Sequence, residues 1–231
     1  MKKLVILSGA GISAESGIST FRDAGGLWEQ HPIEDVATPM GWAKNPALVL
    51  EFYNQRRRQL LEVEPNAGHF GLAELEKLFD VHIVTQNVDN LHERAGSTKI
   101  LHLHGELMKV RSTGKGAEVF ELTPENINIE MGSLCPKGYQ LRPHIVWFGE
   151  AVPEIQNAAD IVSQADVLVI IGTSLQVYPA AGLVNYAKHN TPIYLIDPNA
   201  NEMSVDSSVH IIQKTASEGV KELTEKLKTE N

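Results

Sequence analysis

The sequence predicts an α/β fold, a Rossmann-like parallel sheet with helices on both faces, plus a small lobe formed by two insertions. Three observations carry this expectation. Short apolar runs recur at residues 4–7, 81–85, 100–103, 167–172 and 192–196, each bounded by turn or helix residues, as in strands buried on both faces. Helical patterns with apolar residues at three- and four-residue spacings occupy 46–61, 68–79, 152–165 and 218–227. The first run passes directly into Gly9-Ala10-Gly11-Ile12-Ser13-Ala14, the order of a strand, a glycine-rich turn and a helix start.

Two stretches break the alternation. Residues 28 to about 65 carry helices but no strand, and residues 107 to about 142 are polar and glycine-spotted, with a turn or hairpin at Ser112-Thr113-Gly114-Lys115-Gly116. The expected division is discontinuous: a larger lobe of about 1–27, 66–106 and 143–231, and a small lobe of about 28–65 and 107–142 with a cleft between. At 231 residues the chain can bury a full core as one domain with a small inserted module. A net charge of −9 disfavours general affinity for nucleic acid or anionic membrane. One cysteine excludes an internal disulfide and an all-cysteine metal site, and fits a reducing cytoplasm. The apolar run near the start is too short for a membrane span, and no signal peptide is expected.

Gly9 and Gly11 can take positive φ and bring backbone N–H groups up to a phosphate, with the helix start behind them; Gly9, Ala10, Gly11 and Ser13 are therefore candidates to hold a pyrophosphate. A dehydrogenase would continue, roughly 20 residues on, into a second strand ending in an acid. Here that place holds Phe21-Arg22-Asp23-Ala24-Gly25-Gly26-Leu27-Trp28, which reads as a loop. After residue 85 comes Gln86-Asn87-Val88-Asp89-Asn90-Leu91-His92, with amides and carboxylates at a strand's carboxyl end, where ligands sit; helix capping is the plainer reading. In Ile100-Leu101-His102-Leu103-His104-Gly105-Glu106 leucines and histidines alternate, so both imidazoles share one strand face, and Gly105 leaves room beside His104. Residues 141–150, Leu-Arg-Pro-His-Ile-Val-Trp-Phe-Gly-Glu, read as a half-buried strand. Gly172-Thr173-Ser174 follow a buried strand and precede an expected helix, and Asp197 ends the next strand with Asn199 two residues on. Tyr53 and Arg56 share one helix face, and a phenol beside a guanidinium can bind a carboxylate; three consecutive arginines, Arg56 to Arg58, otherwise read as a solvated basic face.

The ordered set of these motifs resembles the sirtuin family, the NAD-dependent protein lysine deacylases, over nearly the whole chain. The resemblance implies NAD as cofactor and acylated lysine in proteins or peptides as partner. It implies His104 as general base and Asn87 as catalytic residues, with Gly9, Ala10, Gly11, Ser13, Phe21, Arg22, Gln86, Asn87, Asp89, Gly172, Thr173, Ser174, Asp197 and Asn199 around the cofactor. Phe21 would shield the ribose from water, and Arg22 would lie near the phosphates and the departing nicotinamide. The Val146-Trp147-Phe148-Gly149-Glu150 segment would pair with an extended acyl-lysine peptide. Tyr53 and Arg56 resemble the subclass that removes succinyl and malonyl groups, and Ala24 leaves space for a longer acyl chain. Sirtuins usually have asparagine at the position of Asp197. Most also carry two C-x-x-C pairs for a structural zinc; with only Cys135 in that segment, no zinc is expected. A mono-ADP-ribosyltransferase or a non-catalytic NAD or ADP-ribose sensor would share the cofactor, but the first leaves Tyr53 and Arg56 without purpose and the second does not need His104.

Overall fold

The computed structural model describes residues 1–18, 31–203 and 206–229. In chain order the elements are β1 (Lys3–Ser8), α1 (Gly11–Ala14), α2 (Ile33–Val36), α3 (Pro39–Lys44), α4 (Pro46–Glu62), α5 (Ala67–Glu74), β2 (Asp80–Thr85), α6 (Leu91–Arg94), β3 (Ile100–His102), β4 (Gly105–Ser112), β5 (Val119–Glu121), β6 (Leu141–Ile145), α7 (Ile155–Ser163), β7 (Val167–Ile171), β8 (Ile193–Ile196), β9 (His210–Ile212) and α8 (Ala216–Thr229). Six strands form one parallel sheet in the order β3-β2-β1-β7-β8-β9. The chain builds outward from β1 on one side, then returns to β7 and builds outward on the other. That reversal opens a crevice at the carboxyl ends of β1 and β7, where ligands of such sheets bind.

The continuous apolar character of the strands follows from burial on both faces. Leu4, Ile6, Val81, Ile83, Val169, Ile171, Tyr194 and Ile196 point to one side, against Leu72 and Leu75 and the Val220, Leu223 and Leu227 stripe of α8. Val5, Leu7, Val84, Leu168, Ile170 and Leu195 point to the other, against Ala158, Ala159 and Val162 of α7 and Leu183. Helix starts follow their capping residues. The Thr38 hydroxyl accepts from Gly41 N–H ahead of Pro39, the Asn45 side chain accepts from Leu48 N–H ahead of Pro46, and the Asn66 side chain accepts from Gly68 N–H.

The second layer joins α2–α4 to a three-stranded antiparallel sheet, β5-β4-β6. Its core contains Val49, Phe52, Tyr53, Leu60, Leu107, Ile145 and Trp147. Arg57, fully buried, locks α4 to this sheet: its Nε donates to the Leu107 carbonyl at 2.7 Å and its Nη1 to Asn54 Oδ1 at 2.9 Å. The Asn54 side chain in turn exchanges two hydrogen bonds with the Ile129 backbone. Cys135 lies buried in this module, 3.3 Å from the Ser112 hydroxyl, and its N–H donates to the Tyr139 carbonyl. Among the described residues, no helix is long and apolar enough to cross a membrane.

Several elements differ from the sequence expectation. The helix expected at 68–79 ends at Glu74 and tightens into a 3₁₀ turn over Leu75–Lys77. The strand read over 141–150 stops at Ile145, because Trp147 N–H is taken by the Glu150 carboxylate. Gly172 does not lead directly into an α-helix; an irregular stretch runs from it to a 3₁₀ helix at Ala180–Tyr186. Strand β9, three residues with two exposed, was not expected.

Candidate active site

The first two motifs meet by backbone contact. Gly9 N–H donates to the Ile171 carbonyl at 3.0 Å and Gly11 N–H to the Gly172 carbonyl at 2.8 Å, so these donors are used within the chain and are not offered to an anion. Neither glycine has a positive φ. Their small size serves close approach instead: a Cβ on Gly9 would sit 2.7 Å from the Thr173 Cβ, and one on Gly11 2.7 Å from the Gly172 Cα. Gly172 itself has φ +62°, and a Cβ there would lie 2.2 Å from Ile12 N. Of the turn, Ala10 N–H is left without a partner among the described residues.

Beside this crossing lies a cavity of about 80 Å³ lined by residues that include Glu15, Gly172, Ile196, Pro198, Thr215 and Ala216. Sequence reasoning missed Glu15, Pro198, Thr215 and Ala216. The last two open α8 directly after β9, and the small residue pair there was the only local signal. Asp197 directly follows β8, and its Oδ1 accepts from Asn199 N–H at 2.8 Å; Asn199 and Ser174 are exposed.

The loop after β2 carries the polar cluster. Ser13 Oγ donates to Asp89 Oδ2 at 3.0 Å, and Asn87 Nδ2 donates to Ser13 Oγ at 3.2 Å. Because the carboxylate requires Ser13 to be a donor, Asn87 presents its amino group to Ser13 and keeps Oδ1 as an acceptor with no partner among the described residues. Asn87 and Asp89 are buried, and burial pushes the Asp89 carboxyl up, against the bonds from Leu91 N–H and Ser13. Gln86 Nε2 donates to Thr173 Oγ1 at 3.1 Å, tying the β2 loop to the β7 loop.

His104 lies just past β3, and its Nδ1 is 3.1 Å from the Gln86 carbonyl. A carbonyl only accepts, so Nδ1 carries the proton and Nε2 is left as the basic nitrogen. Burial lowers the His104 pKa, opposed by the Gln86 bond, which keeps the ring neutral near pH 7. Gly105 does not leave room beside His104: at φ +82° its absent Cβ would lie 2.0 Å from the His144 carbonyl, so the residue serves the crossing of β4 and β6.

The segment after β6 joins the two layers. Val146 N–H donates to the His104 carbonyl at 2.9 Å, Trp147 Nε1 donates to Tyr53 Oη at 3.0 Å and Phe148 N–H donates to the Ala37 carbonyl. Consecutive residues thus tie the His104 strand to the helix that carries Tyr53. The Val146 carbonyl and Gly149 N–H have no partner among the described residues. Glu150 is committed within the chain, pairing with Arg111 and Arg142, while the Arg142 guanidinium lies 3.6 Å from the Trp147 ring centroid. Its role is to hold the segment.

The three arginines do not form a solvated face. Arg58 pairs with Glu51 at the surface, Arg57 is buried as described, and Arg56 is half-buried with its guanidinium 5.8 Å from the Phe52 ring centroid and its Nε without a partner among the described residues. Burial raises the Tyr53 phenol well above its ordinary range, so it remains a hydroxyl. Phe21, Arg22 and Ala24 lie outside the described residues.

With this geometry in place, comparison with known proteins gives a consistent result. The model of the Sir2 family matches residues 9–179. The chain belongs to the Sir2 family. This Sir2-family chain is 60% identical over 230 residues to an NAD-dependent protein deacylase of Bacteroides thetaiotaomicron, covering 98% of each chain. It is 57% identical over 227 residues to an NAD-dependent protein deacylase of Helicobacter pylori, again covering 98% of each. The crystal structure of a Sir2 homolog–NAD complex superposes with a TM-score of 0.84 at 38% identity, covering 99% of this chain and 90% of that one. The donor set is compatible with a dinucleotide: Ala10 N–H and Asn87 Oδ1, a donor and an acceptor without partners among the described residues, stand at the β1–β7 reversal beside the cavity.

Proposed function

We propose that this chain, a Sir2-family NAD-dependent protein deacylase, removes succinyl and malonyl as well as acetyl groups from lysine side chains of proteins or peptides. One observation carries the acidic-acyl part: Arg56 presents a half-buried guanidinium whose Nε has no partner among the described residues, one helical turn from Tyr53. Arg56 pairs with the distal carboxylate of a succinyl group, and Tyr53, whose oxygen already accepts from Trp147, donates its proton to the same carboxylate. The Arg–carboxylate pair in a desolvated pocket gives the selectivity, which an acetyl group cannot use.

When bound, NAD would supply an electrophilic ribose carbon for the acyl oxygen, and with one water consumed the products would be nicotinamide, the free lysine amine and O-acyl-ADP-ribose. The chain's own residues act around it. Gly9, Ala10, Gly11 and Ser13 line the pyrophosphate side, Ala10 N–H being the donor without a partner among the described residues. Gly172, Thr173, Ser174, Asp197 and Asn199 line the adenosine side with the cavity residues Glu15 and Thr215. Asn87 Oδ1 accepts from a ribose hydroxyl, held in that orientation by Ser13 and Asp89. Gln86 orients the same end through Thr173. His104 Nε2 takes the proton from a ribose hydroxyl, its neutral state at pH 7 being set by burial. The Val146 carbonyl and Gly149 N–H bind the extended peptide backbone, a mode that tolerates many sequences.

The test is turnover of matched acetyl-lysine and succinyl-lysine peptides with NAD by the wild type and Arg56→Met. The expected result is a fall of about 100-fold in kcat/KM for succinyl, roughly 2.7 kcal/mol, with acetyl changed less than about threefold. Equal losses for both peptides, or none, would sink the carboxylate-pocket reading.

A further inference from the structure

The two histidines of the His102-Leu103-His104 stretch hold two successive carbonyls. His104 Nδ1 lies on the Gln86 carbonyl at 3.1 Å, and His102 Nδ1 lies on the Asn87 carbonyl at 2.9 Å. The other nitrogen of His102, Nε2, lies 2.7 Å from Glu93 Oε1 of α6. The His102 side chain is 8% exposed. A carbonyl and a carboxylate are both acceptors, so the two His102 bonds form together only when the ring bears a proton on each nitrogen. His104, whose ring has one partner among the described residues, at Nδ1, is built as a base through Nε2; His102, with both nitrogens engaged, has no lone pair to offer.

We infer that His102 is a positioning residue of the acyl-transfer site: braced on Glu93, it holds the Asn87 carbonyl and with it the two peptide units that orient the Asn87 carboxamide and the His104 ring. The inference rests on the reading of His104 as the base. A second imidazole thus stands two residues from the base without doing acid–base chemistry itself. The charged and titratable groups that face His102 agree with this state. Burial opposes the imidazolium, but Glu93 and the Asn87 carbonyl from the 86–94 loop and helix, with Glu106 from β4, outweigh it and raise the pKa. Asp89, on the same loop, interacts favourably with the His102 charge, and His92 is kept neutral by burial, with His69 and His102 adding to the effect. The carboxylate of Glu93 keeps the proton on Nε2, so the proton that His102 loses is the one on Nδ1; its loss breaks the bond to the Asn87 carbonyl and frees that peptide, and activity falls on the alkaline side.

The experiment is the pH profile of kcat with NAD and an acyl-lysine peptide for the wild type, His102→Ala, His102→Gln, Glu93→Gln and His104→Ala, with Tm measured for each. His102→Ala is expected to lower kcat about tenfold with the KM for NAD within about twofold, since orientation and not cofactor binding is lost. His102→Gln, whose amino group can donate to the Asn87 carbonyl, recovers kcat to within about threefold of the wild type. Glu93→Gln removes the charge that favours the imidazolium and moves the alkaline limb down by about one pH unit, leaving the acid limb in place. A folded His102→Ala with the kcat and alkaline limb of the wild type, or an alkaline limb that Glu93→Gln does not move, would overturn the inference. His104→Ala separates the two readings. Full turnover in that variant removes the base assignment itself, whereas an inactive His104→Ala beside a fully active His102→Ala removes only the positioning role.

Discussion

Replacing His69 with Gln should make the protein less sensitive to acid. His69 is fully buried, its Nδ1 accepts from Asn66 N–H at 3.3 Å, and its ring lies edge-on to that of His92 at 5.0 Å. Burial lowers its pKa from the ordinary 6.5 to about 4, only partly offset by Glu15 and Glu93. A folded pKa below the unfolded one means that the unfolded chain binds the proton first. The stability contribution is therefore complete above about pH 6.5 and is lost as pH falls toward 4. At about pH 5 the shift corresponds to about 2 kcal/mol, or roughly 4–8 °C in Tm for a chain of this size. His92 is also held well below its ordinary range and adds loss in the same direction in both proteins. Gln at position 69 cannot titrate and suits the third position of a helix capped by Asn66. Urea unfolding followed by circular dichroism at about pH 7.5 and about pH 5 should show the wild type losing about 2 kcal/mol more than His69→Gln. Equal losses in the two proteins would refute the burial argument.

Three further predictions follow from the packing. Arg57→Met should cost about 3 kcal/mol in urea unfolding, because it strips the donors from the buried Leu107 carbonyl and Asn54 Oδ1; a change below about 1 kcal/mol would show that α4 is held by apolar packing alone. Gly172→Ala should destabilise by about 3 kcal/mol or more and weaken NAD binding measured by calorimetry, since the new Cβ meets Ile12 N at 2.2 Å in a left-handed backbone. Unchanged affinity would show that the crossing yields without cost. Treatment with a strong chelator should leave Tm unchanged, because the Cys135 module is tied by the Ser112 contact, the Leu134–Gln140 bridge and the Thr113–Gln140 bonds; a drop in Tm restored by zinc would reverse that account.

The large sheet was legible because its strands are buried on both faces and so are apolar without interruption. Strand β9 was not, since three residues with two exposed leave no such run. Glycine positions were legible, but for Gly9, Gly11 and Gly105 the expected reason was different. Close backbone crossing, which depends on a partner more than 30 residues away, leaves no local trace. The same holds for buried side chains committed to distant partners. Arg57 and Arg56 are neighbours in sequence, yet one is a buried strut on the Leu107 carbonyl and the other lies half-buried over the Phe52 ring. Glu150 matched a motif, while its ion pairs with Arg111 and Arg142 belong to the tertiary structure. His102 and His104 share a spacing and differ only in what lies beyond each ring.

The most direct measurement of the central account is the mass spectrum of products formed from an acyl-lysine peptide with NAD, for the wild type and His104→Ala, alongside NAD binding by both. The account predicts equimolar free lysine peptide and O-acyl-ADP-ribose from the wild type, with His104→Ala binding NAD within about threefold and turning over less than about 1% as fast. Free lysine without acylated ADP-ribose, or a fully active His104→Ala, would contradict it.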